Sequence, residues 1–150
     1  EPMAKADLFG LDCDILVPAG LQGEITPDDA GSIRARIVAE AANGATTSAA
    51  DAILADRDVT VIPDIICTAG GAVLGYFEWV QDMQAFFWTD AEITAQLDRI
   101  MDEAMGGVQA MASAESVDLR AGAMMALLPP VAVIIFMQRW FVKGLVESEK

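Results

Sequence analysis

The chain has 150 residues, enough for one domain with a core, and 54% of them are apolar. Its net charge of −14 repels nucleic-acid phosphates and excludes DNA or RNA as a partner class. It contains no histidine, which removes Ser-His-Asp and Cys-His catalysis and histidine metal sites.

Cys13 to Pro18 is a short apolar run ending in Pro-Ala-Gly, predicted as a buried strand and the loop after it. Thr26-Pro27-Asp28-Asp29 is a helix start: a capping hydroxyl, proline in the first turn, then acids at the positive end of the dipole. Gly31 keeps that helix short. Arg36 to Ala41 predicts a second strand, ended by Asn43-Gly44. Thr47 caps a helix over Ser48 to Asp56, and Val59 to Pro63 predicts a third strand. Strands alternating with helices imply parallel pairing through right-handed crossovers.

The second half is predicted helical. One helix spans about Ala69 to Phe87, and Thr89 to Glu92 forms a capping box for the next. That helix carries Ile93, Leu97, Ile100, Met101, Ala104, Met105 and Val108 on one face, weakened by about 1 kcal/mol for each of Gly106 and Gly107. Asp118 caps a last helix, which Pro129-Pro130 breaks or kinks. Ala121 to Met137 carries no charge but is short of a bilayer span, so no membrane segment is expected. The expected fold is α/β: a partial Rossmann-like parallel sheet of about three strands, followed by a helical C-terminal half. It is expected as one domain over 1–150, with the α/β part at about 7–67 and the helical part at about 68–150.

Cys13 and Cys67 form no CxxC pair and are expected to be reduced, as in a cytoplasmic protein; no signal pattern opens the chain. In an open α/β sheet, ligands bind at the carboxyl ends of the strands. Pro18-Ala19-Gly20 lies at such an end, where small residues admit a flat ring, although the same residues make an ordinary tight loop. Asn43 follows a strand as well. Its carboxamide can donate and accept, although Asn-Gly is also a common left-handed turn. Gly70-Gly71 opens a helix after a strand, leaving room for a ligand or for close helix–strand packing. Glu78 and Asp64 are read as structural acids rather than catalytic ones.

Four segments in order resemble the glutamate dehydrogenase family (the Glu/Leu/Phe/Val dehydrogenases). They are Cys13 to Ala19 (CDILVPA), Glu40 to Thr47 (EAANGATT), Val61 to Ile65 (VIPDI) followed by Ala69-Gly70-Gly71, and Tyr76 to Gln81 (YFEWVQ). The resemblance implies the part of an NAD- or NADP-binding domain that follows the dinucleotide fingerprint. It implies oxidative deamination of L-glutamate to 2-oxoglutarate as the family reaction. Ala19, Asn43, Gly70 and Gly71 would line the nicotinamide side, with Asn43 matching the family's asparagine near the nicotinamide ribose. Other features depart from the family. No GxGxxG occurs, and nothing matches the family's catalytic lysine and aspartate, so no catalytic residue is expected here and the chain alone is expected to be inactive. Thr68 stands where the family has asparagine in Asn-Ala-Gly-Gly. Gly75 stands where the family has a serine that helps hold the substrate side-chain carboxylate. The expected partners are further copies of the chain or the remaining domains of a longer one. The alternative is a non-catalytic assembly module, natural or engineered, derived from the same fold.

Overall fold

A computed structural model describes residues 4–126. Helix α1 (Lys5–Phe9) leads into strand β1 (Ile15–Leu16); helix α2 (Pro27–Ala30), strand β2 (Ile37–Ala39), helix α3 (Ser48–Asp56) and strand β3 (Thr60–Ile62) follow. The three strands form one parallel sheet in the order β1-β2-β3, with Leu16 opposite Val38 and Val38 opposite Val61. Because the strands are parallel, their carboxyl ends share one edge. A further parallel bridge, Ile25 to Thr46, ties the loop after β1 to the loop after β2.

The strands are shorter than the apolar runs that encode them. Prolines set two of the limits: Pro18 and Pro63 have no N–H for the ladder. Single hydrogen bonds continue past the ends, from Ala41 N to Pro18 O (3.0 Å) and from Glu40 N to Ile62 O (3.1 Å). The core lies between sheet and helices, where Ile25, Ile33, Val38 and Leu54 are fully buried. Each contributes about 1.5–3 kcal/mol through the apolar surface it removes from water. Arg57 ties two of the helices together, donating to Ala30 O at the end of α2 and to Ile33 O (2.8 Å).

The helix starts follow their local signals. At α2, Thr26 N and Oγ1 both donate to the Asp29 carboxylate, at 3.0 and 2.6 Å. At α3, Ala50 N donates to Thr47 Oγ1 (3.3 Å). After β3 the chain makes a one-turn helix, α4 (Asp64–Cys67), before α5 (Ala69–Gln84). Helix α5 stops short of the expected Phe87 because Ala85 turns left-handed, at φ 51°. Gln81, buried, then holds the exit: its Oε1 accepts from Trp88 N (2.7 Å), and its Nε2 donates to Phe77 O (3.2 Å). Helix α6 (Asp90–Glu115) starts on the Thr89–Glu92 box and runs unbroken through Gly106-Gly107.

Two compact units meet in sequence at that glycine pair: Glu1–Gly106 and Gly107–Lys150. Within the second, Asp118 Oδ1 accepts from Ala121 N (2.7 Å) and starts a helical stretch described over 119–126. A Cβ on Gly122 would lie 2.9 Å from Ala112 Cβ and 3.0 Å from Val108 O, so backbone contact there requires glycine. Pro129-Pro130 and most of the uncharged run lie outside the described residues. Among the described residues, no helix is long and apolar enough to cross a membrane.

Candidate functional site

The carboxyl edge of the sheet gathers three loops. Ala19 follows β1 and is exposed, next to the buried Pro18. The amide of Gly20 is taken by Glu24, whose Oε2 accepts at 3.2 Å. Asn43 lies in the turn after β2 and is exposed. The third loop runs through α4 into Gly70-Gly71, in the first turn of α5.

Hydrogen bonds join these loops in series. Ala41 N to Pro18 O links the first loop to the second. Gly44 N donates to Asp64 Oδ2 (2.6 Å), linking the second to α4. Glu40 strengthens that link: its fully buried carboxylate accepts from Thr46 N at Oε1 (2.8 Å) and from Asp64 N at Oε2 (3.0 Å). Thr68 Oγ1 donates to Asp64 O (2.8 Å) just before α5 begins. Ala19, Asn43 and the α4–α5 junction therefore follow successive strands along one edge.

The structural explanations for these residue types fall away at three of the four positions. The left-handed residue of the turn is Gly44, at φ +60°, and not Asn43. The backbone thus makes no demand for asparagine. Its carboxamide has no hydrogen-bond partner among the described residues. Close helix–strand packing does not explain the glycine pair either. A Cβ on Gly70 would meet Leu97 Cδ1 at an ordinary 3.9 Å, and one on Gly71 would meet nothing within 4 Å.

Cys67 lies under the same edge, its thiol donating to Ile62 O (3.5 Å). Burial pushes the thiol pKa up; a hydrogen bond from the Glu40 backbone opposes this, and the carboxylates of Glu40 and Asp64 add to it. The sulfur is thus held as a neutral thiol and is a poor nucleophile. Both cysteines are free. Among the described residues, no group of acidic or cysteine side chains could hold a metal ion. Sequence reasoning gave Glu40 no role. Its apolar neighbours marked the strand, and nothing local signals that a carboxylate at the strand end will be buried and bridge two loops.

The sequence model of the Glutamate/Leucine/Phenylalanine/Valine dehydrogenase family matches residues 1–138. The chain belongs to this dehydrogenase family. It is 42% identical over 125 residues to the cryptic catabolic NAD-specific glutamate dehydrogenase of Bacillus subtilis, covering 83% of this chain and 29% of that protein. It is 42% identical over 132 residues to the glutamate dehydrogenase of Thermotoga maritima, covering 88% of this chain and 32% of that protein. The fold superposes on the hetero-hexameric glutamate dehydrogenase of Thermus thermophilus with a TM-score of 0.82 at 32% identity, over 85% of this chain and 31% of that one. The glutamate dehydrogenase of Peptoniphilus asaccharolyticus gives 0.77 at 38% identity, over 85% of this chain and 32% of that one. The chain therefore spans about a third of the length of the relatives it matches. Its sheet is the corresponding part of their Rossmann-like fold.

Proposed function

We propose that this segment forms the nicotinamide-side wall of an NAD-dependent glutamate dehydrogenase. The Bacillus subtilis and Staphylococcus aureus relatives, named as NAD-specific, favour NAD over NADP. The family reaction converts L-glutamate to 2-oxoglutarate and ammonia. The supporting observation is the exposed Asn43 at the carboxyl edge of the sheet, whose carboxamide has no hydrogen-bond partner among the described residues, in a turn whose geometry does not need asparagine.

The residues fit a flat cofactor ring and its ribose. Asn43 can donate to one oxygen and accept from a hydroxyl with the same group. Gly70 and Gly71 keep a face of α5 free of side chains, and Ala19 presents a single methyl at the neighbouring loop. Once bound, the nicotinamide supplies the hydride acceptor. The residues here orient the ring and occupy the space beneath it; none of them moves a proton. Glu78 is exposed and structural in this reading. The two reduced cysteines fit a cytoplasmic setting.

The chain by itself is read as inactive, because nothing in it supplies the acid–base groups of deamination. The test has two parts. NAD is titrated into the complete gene product and into its Asn43→Ala variant, with tenfold or greater weakening expected. Unchanged affinity refutes the site. Glutamate-dependent NAD reduction by the 150-residue chain alone refutes its inactivity.

A second reading, an assembly module, rests on one observation. Tyr76, Trp79 and Met83 recur on one side of α5 and are 59%, 59% and 72% exposed. Large apolar side chains left open in a row favour burial against other protein. This is also where copies of the chain, or the rest of a longer one, would pack. Light scattering of a Trp79→Glu/Met83→Glu variant tests it: an unchanged mass removes this face from the assembly.

A further inference from the structure

We propose that Glu40 and Asp64 are positioning residues that set the Asn43 carboxamide against the nicotinamide nucleotide, acting through the Asn43-Gly44 turn. The inference rests on the cofactor reading above and extends it to two acids, Glu40, given no role by the sequence, and Asp64, read there as structural. Glu40 lies three residues before Asn43 and Thr46 three after, so the bond from Thr46 N to Glu40 Oε1 (2.8 Å) closes the loop that contains the asparagine. The other oxygen of the same carboxylate fixes Asp64 N (3.0 Å). Asp64 then reaches back with Oδ2 to Gly44 N (2.6 Å), while its Oδ1 takes Ile65 N (2.8 Å). The turn is thus gripped at Gly44 and Thr46 by two carboxylates that are themselves joined.

The chemistry explains why both residues are acids. A carboxylate is acceptor-only and offers an oxygen to each of two N–H groups. Glutamine in place of Glu40, or asparagine in place of Asp64, has nearly the same volume but turns one of those oxygens into an NH2 facing an N–H. One of the two grips is then lost and the turn is freed to shift. Burying a carboxylate is costly, and two bonds of the Glu40 carboxylate go to the loop that carries Asn43 and to the helix entry leading to Gly70. Displacement of a contacting group by about 1 Å can cost about 100-fold in function, so a clamp on this turn has a large effect to exert.

The test is a double-mutant cycle on the complete gene product, read as the NAD dissociation constant well below the unfolding temperature. Glu40→Gln and Asp64→Asn are each expected to weaken NAD about tenfold or more, as is Asn43→Ala. In the Asn43→Ala background, Glu40→Gln is expected to add almost nothing, because the group it positions is gone. A purely structural role lowers the unfolding midpoint and leaves the affinity of the folded molecules alone. If Glu40→Gln does not fold, Asp64→Asn, whose side chain is partly exposed, carries the same cycle. Unchanged NAD affinity in the acid variants, or the same loss with and without Asn43, overturns the clamp while the cofactor site stands. A gene product that binds no NAD overturns both.

Discussion

Gly71→Ala separates stability from function at one atom. Gly71 is the third residue of α5, and an added Cβ meets nothing within 4 Å. Glycine costs a helix interior about 1 kcal/mol relative to alanine. In the first turn, with fewer intrahelical bonds at stake, we take about half of that. The variant should therefore be more stable by about 0.5 kcal/mol. If the open space over Gly71 belongs to the nicotinamide, the same methyl intrudes on the ring. A tenfold loss of NAD affinity corresponds to about 1.4 kcal/mol, which is the least expected for a methyl forced between packed surfaces. Urea denaturation and NAD titration on one preparation measure both quantities. Higher stability with unchanged affinity refutes the placement of Gly71 under the cofactor. Lower stability refutes the reading of the surrounding space as empty, and with it the claim that packing does not require glycine there.

Other substitutions probe the helices and the substrate side. Gly106→Ala and Gly107→Ala, both open around the would-be Cβ, should each stabilise by up to about 1 kcal/mol, whereas Gly122→Ala, which meets backbone at 3.0 Å, should destabilise; thermal unfolding that ranks them otherwise refutes the packing. Burial alone would raise the Asp29 pKa, but hydrogen bonds from Thr26 and Lys5 outweigh it and hold the carboxyl below its usual range. Its contribution is therefore present above the unfolded-state pKa and disappears as pH falls through the lower folded value. Asp29→Asn should cost about 1 kcal/mol at pH 7 and nothing below the folded value, in unfolding curves taken across that range. Gly75→Ser has open space for its side chain; if the missing hydroxyl limits carboxylate binding, the variant of the complete gene product should show a lower KM for L-glutamate, and an unchanged KM removes that explanation.

Features encoded within three or four residues were legible in the sequence. The starts at Thr26, Thr47, Thr89 and Asp118 need only a side chain and an amide one turn away, and all four helices begin there. The three parallel strands were legible because each apolar run is punctuated by proline or Asn-Gly. The stop at Ala85 was not, since alanine carries no signal for a left-handed cap. Nor was the separate turn α4, which depends on Glu40 accepting from Asp64 N across a separation of 24 residues. The candidate site divides the same way. Asn43 and the glycine pair could be proposed from their places after strands together with the family resemblance, whereas φ at Gly44 and the space around Gly71 are set only in the folded chain. The acids behind the site had no local signature.

A loop edge folded for its own sake satisfies its polar groups internally, and most of this edge does so. The Pro18 carbonyl is taken by Ala41 N, and the Gly20 amide by Glu24. Asp64 takes the Gly44 amide, while Glu40 takes the Thr46 and Asp64 amides. The loops are thereby fixed without Asn43, which is exposed and whose group with two donors and an acceptor has no partner among the described residues. An exposed asparagine costs little, so exposure alone argues nothing. What distinguishes this edge is the combination: a turn fixed at Gly44 and Thr46 by two acids, an asparagine that the turn does not need, and, one strand along the same edge, two helical glycines that no packing among the described residues requires. Among the described residues, no packing or turn geometry requires the asparagine or Gly71. Under the function proposed above, a bound nicotinamide nucleotide would account for both, with the acids as their supports.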